Sequence, residues 1–261
     1  MRIEDKFKQL KKEGRKAFIA YVPFGFPKPA CTGDIILTLQ DSGVDIIELG
    51  IPFSDPLADG PIIQKASAIA LANGATVDKA FKVLKNIKNS LNIPIVIMTY
   101  YNPLYRYNQD KFFKKMKEVG ASGIMVVDLP VYEARDYIKK SRQYDLETVF
   151  FITPTTKRSN AVKIAKVSRG FIYYISVTGI TGPKFLNYKR IKSNIVKLKS
   201  ITHLPVCIGF GIHKPAQLKH INSFCDGAIV GSALVKFIES NFRKKSFSKL
   251  LTKYIRGFIS P

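Results

Sequence analysis

The chain has 261 residues, 46% of them hydrophobic, which is enough to build one large core. Its 42 Lys and Arg residues against 19 Asp and Glu residues leave a formal net charge of +23. No apolar run reaches the roughly 18 residues of a membrane span, and the charged first segment lacks the apolar core of a secretory signal. The widely spaced Cys31, Cys207 and Cys225 fit neither a disulfide framework nor a zinc site, so we expect a cytoplasmic protein without a membrane partner.

Eight short apolar runs recur along the chain, and each is followed by a longer amphipathic segment. The runs cover residues 17–22, 44–49, 93–100, 123–129, 147–153, 170–176, 204–209 and 227–231. Their nearly continuous hydrophobicity is typical of parallel strands buried on both faces. Helices are predicted between them at 31–41, 77–90, 110–119, 131–144, 160–167, 191–200 and 216–222. Eight repeats without a linker predict one α/β domain over 1–261, a (β/α)8 TIM barrel with an extra N-terminal helix. A doubly wound sheet would need a break in the repeat.

The second strand and the loop after it carry three carboxylates. Glu48 stands at the end of the apolar run, and Asp55 and Asp59 lie on the proline-rich loop that follows. Burying an unpaired carboxylate costs several kcal/mol or more, so such a residue is either paired or used chemically. Glu48 on the rigid strand end is predicted to be a general acid and base. Asp59 is predicted to stay ionised and to stabilise positive charge on a substrate.

Glycine-containing loops follow the last two predicted strands. Gly209 and Gly211 follow the seventh strand, while Gly231 and Ser232 follow the eighth and lead into a helical pattern, for which Ser232 is a candidate N-cap. Glycines allow close approach to phosphate oxygens, and a helix N-terminus adds oriented N–H donors and partial positive charge. The pair of loops predicts a phosphate-binding site.

Other strand ends and one long loop complete the predicted chamber. Its walls are predicted to consist of Tyr21, Tyr100, Met125, Asp128, Phe150, Tyr173 and Thr181. Aromatic walls indicate a flat apolar ligand, although ordinary packing at the barrel mouth explains them equally. The segment 177–190 is interpreted as a lid over the substrate or as a mobile surface loop. No metal-binding motif appears, and we expect no metal.

The positive charge admits a second interpretation. Clustered Lys and Arg residues are typical of proteins that bind a phosphate backbone. Here they are scattered over helical segments, as at Lys82, Lys85 and Lys88, without the interleaved aromatic residues of an RNA-binding motif. We therefore interpret them as solvated helix faces and expect no specific nucleic-acid partner. A basic nucleic-acid-binding protein, or a catalytically silent interaction subunit, remains the alternative from another class.

Several motifs together resemble the tryptophan synthase α-subunit family, over nearly the whole chain. They are Glu48-Leu49-Gly50, the run from Pro52 to Pro61, Tyr100-Tyr101-Asn102-Pro103, Asp128-Leu129-Pro130, Gly179-Ile180-Thr181-Gly182, Gly209-Phe210-Gly211-Ile212 and Gly231-Ser232-Ala233. The resemblance implies a lyase that splits indole-3-glycerol phosphate into indole and glyceraldehyde 3-phosphate by a retro-aldol reaction. Another phosphate-binding barrel lyase or isomerase is the enzymatic alternative, and its chemistry would favour a lysine at a strand end.

The resemblance also implies roles for individual residues. Glu48 would protonate C3 of the indole and take the proton of the glycerol hydroxyl, Asp59 would hold the indole N–H, and Tyr173 would help to place both. Thr181 would orient Asp59 when the lid closes. The positions matching the indole pocket are Phe210, Tyr100 and Met125, and those matching the phosphate site are Gly182, Gly211, Gly231 and Ser232.

A partner is implied as well. The family pairs with a pyridoxal-phosphate-dependent β subunit in an α2β2 tetramer, through which indole passes by a tunnel. Asp55-Pro56 and Tyr101-Asn102-Pro103 match the partner-facing surface. Because the pyridoxal phosphate belongs to the β subunit, no cofactor is expected in this chain.

Overall fold

A single sheet of parallel strands forms the centre of the computed structural model, which describes residues 1–176, 187–209 and 211–259. Thr181, Gly182, Phe210 and most of the predicted lid therefore lie outside the described residues. The strands are β1 (Ala17–Pro23), β2 (Ile46–Gly50), β3 (Ile95–Thr99), β4 (Gly123–Val126), β5 (Glu147–Thr148), β6 (Phe150–Ile152), β7 (Ile172–Ile175), β8 (Val206–Gly209) and β9 (Gly227–Val230).

The sheet closes into a barrel with eight strand positions. β5 and β6 are consecutive pieces of one strand, interrupted at Val149. β5 pairs with β4 and β6 pairs with β7, while β1 pairs with both β2 and β9. The predicted TIM barrel is confirmed, because the nine pieces occupy eight positions around one closed ring.

Helices surround the barrel in chain order. They are α1 (Ile3–Lys12), α2 (Thr32–Asp41), α3 (Pro61–Ala72), α4 (Val77–Ile87), α5 (Tyr101–Arg106), α6 (Gln109–Glu118), α7 (Arg135–Gln143), α8 (Arg158–Val167), α9 (Tyr188–Lys199), α10 (Pro215–Asn222), α11 (Ser232–Asn241) and α12 (Phe247–Ile259), with short 3-10 helices at Pro29–Cys31 and Lys88–Ser90. The prediction did not include α3, α5 and α12. It also started α7 too early, because Glu133 N–H donates to the Pro130 carbonyl in a turn that precedes the helix.

The strands separate two apolar layers. One layer fills the barrel interior, and the other lies between the strands and the surrounding helices. Helix α1, the extra N-terminal helix of the prediction, inserts Ile3, Phe7 and Leu10 into the interior layer. A Cβ atom added at Gly123 would lie 2.7 Å from the Ile3 side chain, so a glycine there lets Ile3 enter the barrel. Helix α1 thus closes the amino end and leaves the carboxyl ends of the strands for a site.

Two further predictions concern membrane-spanning helices and the cysteines. Among residues 1–176, 187–209 and 211–259, no helix is both long and apolar enough to cross a membrane. The three cysteines are free.

Candidate active site

Glu48 lies in β2 with its side chain inside the barrel. Alternate residues of a strand point to opposite faces, and Ile46 belongs to the interior layer while Ile47 and Leu49 belong to the outer one. Glu48 is 1% exposed, and its Oε1 atom has no hydrogen-bond partner among the described residues. Burial raises the pKa of this carboxyl group to about 8. Glu48 is consequently protonated in most molecules at neutral pH.

Two other buried carboxylates are fully engaged by the fold. Asp45 accepts hydrogen bonds from the Phe18 N–H at 2.9 Å and from the Arg15 guanidinium at 3.2 Å. Glu147 accepts the N–H groups of Ile3 at 2.6 Å and Glu4 at 3.1 Å, at the start of α1. Buried polar groups are almost always paired in this way. Glu48 differs from both because its Oε1 atom has no hydrogen-bond partner among the described residues. Stability therefore does not explain why a carboxyl group is buried at this position.

Asp59 is the second buried carboxylate of the predicted site and lies on the loop between β2 and α3. It is 8% exposed, and the Tyr100 hydroxyl donates a 3.0 Å hydrogen bond to its Oδ2 atom. The same hydroxyl accepts the Ala58 N–H at 3.0 Å, which ties the loop to the end of β3. Burial raises the pKa of Asp59 to about 6, against the lowering effect of the Tyr100 hydrogen bond. Asp59 is thus mainly ionised at neutral pH.

Tyr21 and Tyr173 are buried beside these carboxylates. Burial raises the pKa of both phenols well above the usual value, with a further contribution from the charges of Glu48 and Asp59. The Tyr173 hydroxyl lies against Gly209, where a Cβ atom would collide with it. In the same way, a Cβ atom at Gly50 would lie 2.7 Å from Cζ of Tyr21. These glycines at strand ends make room for the two rings.

The remaining predicted wall residues do not all line the chamber. Tyr100 packs its ring on Phe53, with ring centroids 5.3 Å apart, and Met125 is buried in the interior layer. The predicted place of Phe150 in the chamber is wrong, because Phe150 faces outward and packs on Tyr137 of α7. Val149 and Phe151 alternate with Phe150 along the strand and face the interior instead, with the Phe151 ring 4.9 Å from that of Tyr173.

Asp128 lies outside the chamber and accepts a hydrogen bond at the start of a helix. It is exposed, and its Oδ1 atom accepts the Tyr101 N–H at 2.7 Å, at the start of α5. This contact gives Asp128 a structural role in holding α5.

The two glycine loops lie at the ends of neighbouring strands, β8 and β9. Gly211 has φ of +82° and is exposed, a conformation that favours glycine. Gly231 is the N-cap of α11 and Ser232 is its first helical residue, so the predicted N-cap role of Ser232 is wrong. Because Gly231 has no side chain, the N-terminal N–H groups of α11 have no side-chain cap and remain available to an anion.

One residue that holds the loop after β8 had no signal in the sequence. Gln217 accepts the N–H of His213 at 2.9 Å and donates to the Gly211 carbonyl at 3.2 Å. The His213 ring nitrogen Nδ1 also contacts that carbonyl at 2.9 Å. These side chains hold the loop that contains Gly211.

The fold is a (β/α)8 barrel with two buried carboxyl groups of different pKa, Glu48 on a strand and Asp59 on the loop after it. The sequence model of the family described as "Tryptophan synthase alpha chain" matches residues 7–255. The chain belongs to the tryptophan synthase α-chain family.

Individual relatives agree over nearly the whole length. The tryptophan synthase alpha chain of Geotalea daltonii is 39% identical over 251 residues, 96% of this chain and 95% of the relative. That of Petrotoga mobilis is 42% identical over 243 residues, 93% of each chain. The crystal structure of tryptophan synthase subunit alpha from Legionella pneumophila superposes with a TM-score of 0.90 at 31% identity, covering 98% of this chain and 96% of that one. The protein is accordingly a lyase of tryptophan biosynthesis that catalyses the α reaction.

Proposed function

We propose that the chain cleaves indole-3-glycerol phosphate into indole and glyceraldehyde 3-phosphate, with Glu48 as the proton carrier and Asp59 as the stabiliser of positive charge. The observation that carries the proposal is the buried Glu48 carboxyl group, which has a raised pKa and an oxygen without a hydrogen-bond donor among the described residues. A protonated carboxylic acid in an apolar site is suited to donate a proton at neutral pH.

The reaction then follows from the two protonation states. Protonated Glu48 gives its proton to C3 of the indole ring, which becomes an indolenine cation. The ionised Asp59 accepts the ring N–H and stabilises that positive charge. The Glu48 carboxylate next takes the proton of the glycerol hydroxyl, and the bond between C3 and the side chain breaks. Its electrons return to the ring to give indole, the hydroxyl carbon becomes the aldehyde, and Glu48 is protonated again.

The surrounding residues would position the substrate. We assign Tyr21, Tyr100, Met125, Tyr173 and Phe210 to the indole pocket. We assign Gly211, Gly231 and Ser232 to the phosphate, supported by the uncapped N-terminus of α11. Gly182 and Thr181 keep their predicted roles in phosphate binding and in orienting Asp59. No described strand contains a lysine, which disfavours the alternative barrel chemistry that uses a lysine as the acid.

We also propose the β subunit as a partner, in an α2β2 assembly in the cytoplasm. Three large apolar side chains are exposed on segments that follow successive strands: Leu57 after β2, Tyr105 in α5 after β3 and Tyr132 after β4. A group of exposed apolar residues at one end of a barrel fits a protein interface. The proposed chemistry needs only proton transfer by side chains, so pyridoxal phosphate is assigned to the partner and no cofactor to this chain.

The test is an indole-release assay on purified protein, with and without the β subunit. Glu48→Gln is expected to abolish release while the protein stays folded. Glu147→Gln is the matched control, since it changes another buried strand carboxylate that only supports the fold, and it should retain activity. Release by Glu48→Gln near the level of the unmodified protein would disprove the role of Glu48.

A further inference from the structure

The charge excess is concentrated in one part of the chain. Between Glu147 and Asp226 the sequence contains no Asp or Glu residue, while Lys and Arg recur throughout. This stretch contains α8, α9 and α10. Sequence position alone does not show whether these cations share a surface.

The barrel brings the three helices side by side. Strands β6, β7, β8 and β9 are neighbours in the sheet, so the helices that connect them are neighbours on the outside. Each carries at least one exposed lysine, such as Lys166 on α8, Lys192 on α9 and Lys219 on α10. From these helices, the only ion pair among the described residues is that of Lys199 with Asp226. The face formed by α8, α9 and α10, here called the basic face, is therefore rich in cations, and among the described residues Lys199 alone of them forms an ion pair.

An aromatic cluster lies within the basic face. The Tyr188 ring on α9 meets the His220 ring on α10 with centroids 4.3 Å apart, and Phe224 follows at 5.9 Å from His220. Tyr188 and Phe224 are half-buried, whereas His220 is exposed. Lys219 precedes His220, and Lys192 stands one turn after Tyr188. Aromatic side chains on which bases stack, surrounded by cations that meet phosphates, are the two components of single-strand recognition.

We propose that the basic face binds single-stranded nucleic acid without sequence preference, with phosphates on its lysines and a base stacked on His220. Helices arranged around a barrel form a convex surface, which a flexible chain can follow and a flat bilayer touches only in part. Interfacial membrane binding also requires a continuous apolar face. The described residues of these three helices include one large exposed apolar side chain, Val196. This binding is independent of the proposed lyase reaction, because it uses none of the site residues.

The test measures fluorescence anisotropy of a labelled oligouridylate of about 16 nucleotides, the upper end of single-strand site sizes, between about 50 and 200 mM salt. One variant combines Lys166→Gln, Lys192→Gln and Lys219→Gln on the basic face. Its matched control combines Lys82→Gln, Lys85→Gln and Lys114→Gln on α4 and α6, with the same change in charge at exposed positions outside ion pairs. A third variant, His220→Ala, tests stacking.

The basic-face variant should lose on the order of fivefold in affinity for each lost phosphate contact at about 0.1 M salt, and its salt slope should fall by about 2. The control should lose much less. His220→Ala should weaken binding on the order of tenfold while keeping the salt slope. Indole release should be unchanged in all three variants, which verifies folding and separates this inference from the lyase reaction.

Four outcomes would overturn the proposal. They are equal losses in the basic-face variant and its control, full affinity in His220→Ala, no binding by the unmodified protein across this salt range, and tighter binding to phosphatidylglycerol vesicles with the same dependence on the variants. Equal losses would show that net charge alone attracts the strand.

Discussion

Hydrogen bonding, more than residue type, distinguishes the buried carboxyl groups of this protein. Asp45 and Glu147 are as deeply buried as Glu48, but backbone N–H groups satisfy them. Glu48 has no such donor at Oε1 among the described residues, and burial raises its pKa to about 8. The pKa of Asp59, which accepts a hydrogen bond from the Tyr100 hydroxyl, is raised only to about 6. The difference places one acid and one anion in the same chamber near neutral pH.

The pH dependence of the reaction should show both groups. Glu48 must be protonated and Asp59 must be ionised, so kcat/KM for indole release should fall above pH about 8 and below pH about 6. Steady-state rates across this range provide the measurement. A profile that stays flat through both values would contradict the assignment.

Tyr100 should control the acidic limb of that profile. Its hydroxyl lowers the pKa of Asp59, so Tyr100→Phe should raise that pKa and move the acidic limb to higher pH. The basic limb, which belongs to Glu48, should stay in place and serves as the internal control. If the acidic limb did not move, the Tyr100 hydroxyl would not control the pKa of Asp59.

The unpaired carboxyl group should also reduce stability. A carboxyl pKa raised on folding contributes stability below the unfolded pKa, and this contribution is lost as pH rises toward the folded pKa. Glu48→Gln should therefore increase the free energy of unfolding by about 3 kcal/mol near pH 7 and have little effect near pH 4.5. Urea denaturation at the two pH values provides the measurement, and an equal effect at both would refute the linkage.

At the scale of elements, the alternation and the ends of strands position the site. Alternation along the strand turns Val149 and Phe151 inward and Phe150 outward, so Phe151 rather than Phe150 contacts Tyr173. Glycines at the ends of β2 and β8 admit the rings of Tyr21 and Tyr173. Helix α1 closes the opposite end of the barrel, with Glu147 accepting its first N–H groups. The elements therefore separate a chemical end from a structural end.

Loss of the Glu147 contacts should affect only the structural end. Glu147→Ala leaves the N–H groups of Ile3 and Glu4 without their acceptor, and we expect a loss of about 1–3 kcal/mol in the free energy of unfolding. The limbs of the pH–rate profile should not move, because Glu147 lies at the amino end of the barrel. Denaturation curves and rate profiles of the same preparation test both statements, and a displaced limb would show coupling between the two ends.

At the scale of the whole molecule, two surfaces stand out from the rest. One is the exposed apolar group of Leu57, Tyr105 and Tyr132 beside the chamber, and the other is the basic face. Their chemistry differs, and so do their proposed partners. An apolar surface at the barrel mouth fits a protein that receives the product directly, whereas a face with an excess of cations fits a polyanion.

The apolar group should govern assembly without governing chemistry. Leu57→Asp places a charge where an 81% exposed leucine stands, so it should weaken binding to the β subunit by tenfold or more, at about 1.4 kcal/mol per factor of ten. Indole release by the isolated chain should remain unchanged. Titration calorimetry with the β subunit provides the measurement, with Val196→Asp as the control at another exposed apolar position. Equal weakening by both substitutions would place the interface elsewhere.

The sequence by itself determined the barrel, the carboxylates and the glycine loops, because strand–helix alternation, Glu48 at a strand end and glycines after strands are local patterns. It located the start of α7 and the N-cap of α11 less well, since Pro130 and Gly231 act through backbone geometry that a pattern does not show. Only the tertiary structure decided that Asp45 and Glu147 are satisfied while Glu48 is not, and that Tyr188 meets His220. Hydrogen-bond partners and ring contacts join residues distant along the chain, so they exist only after folding.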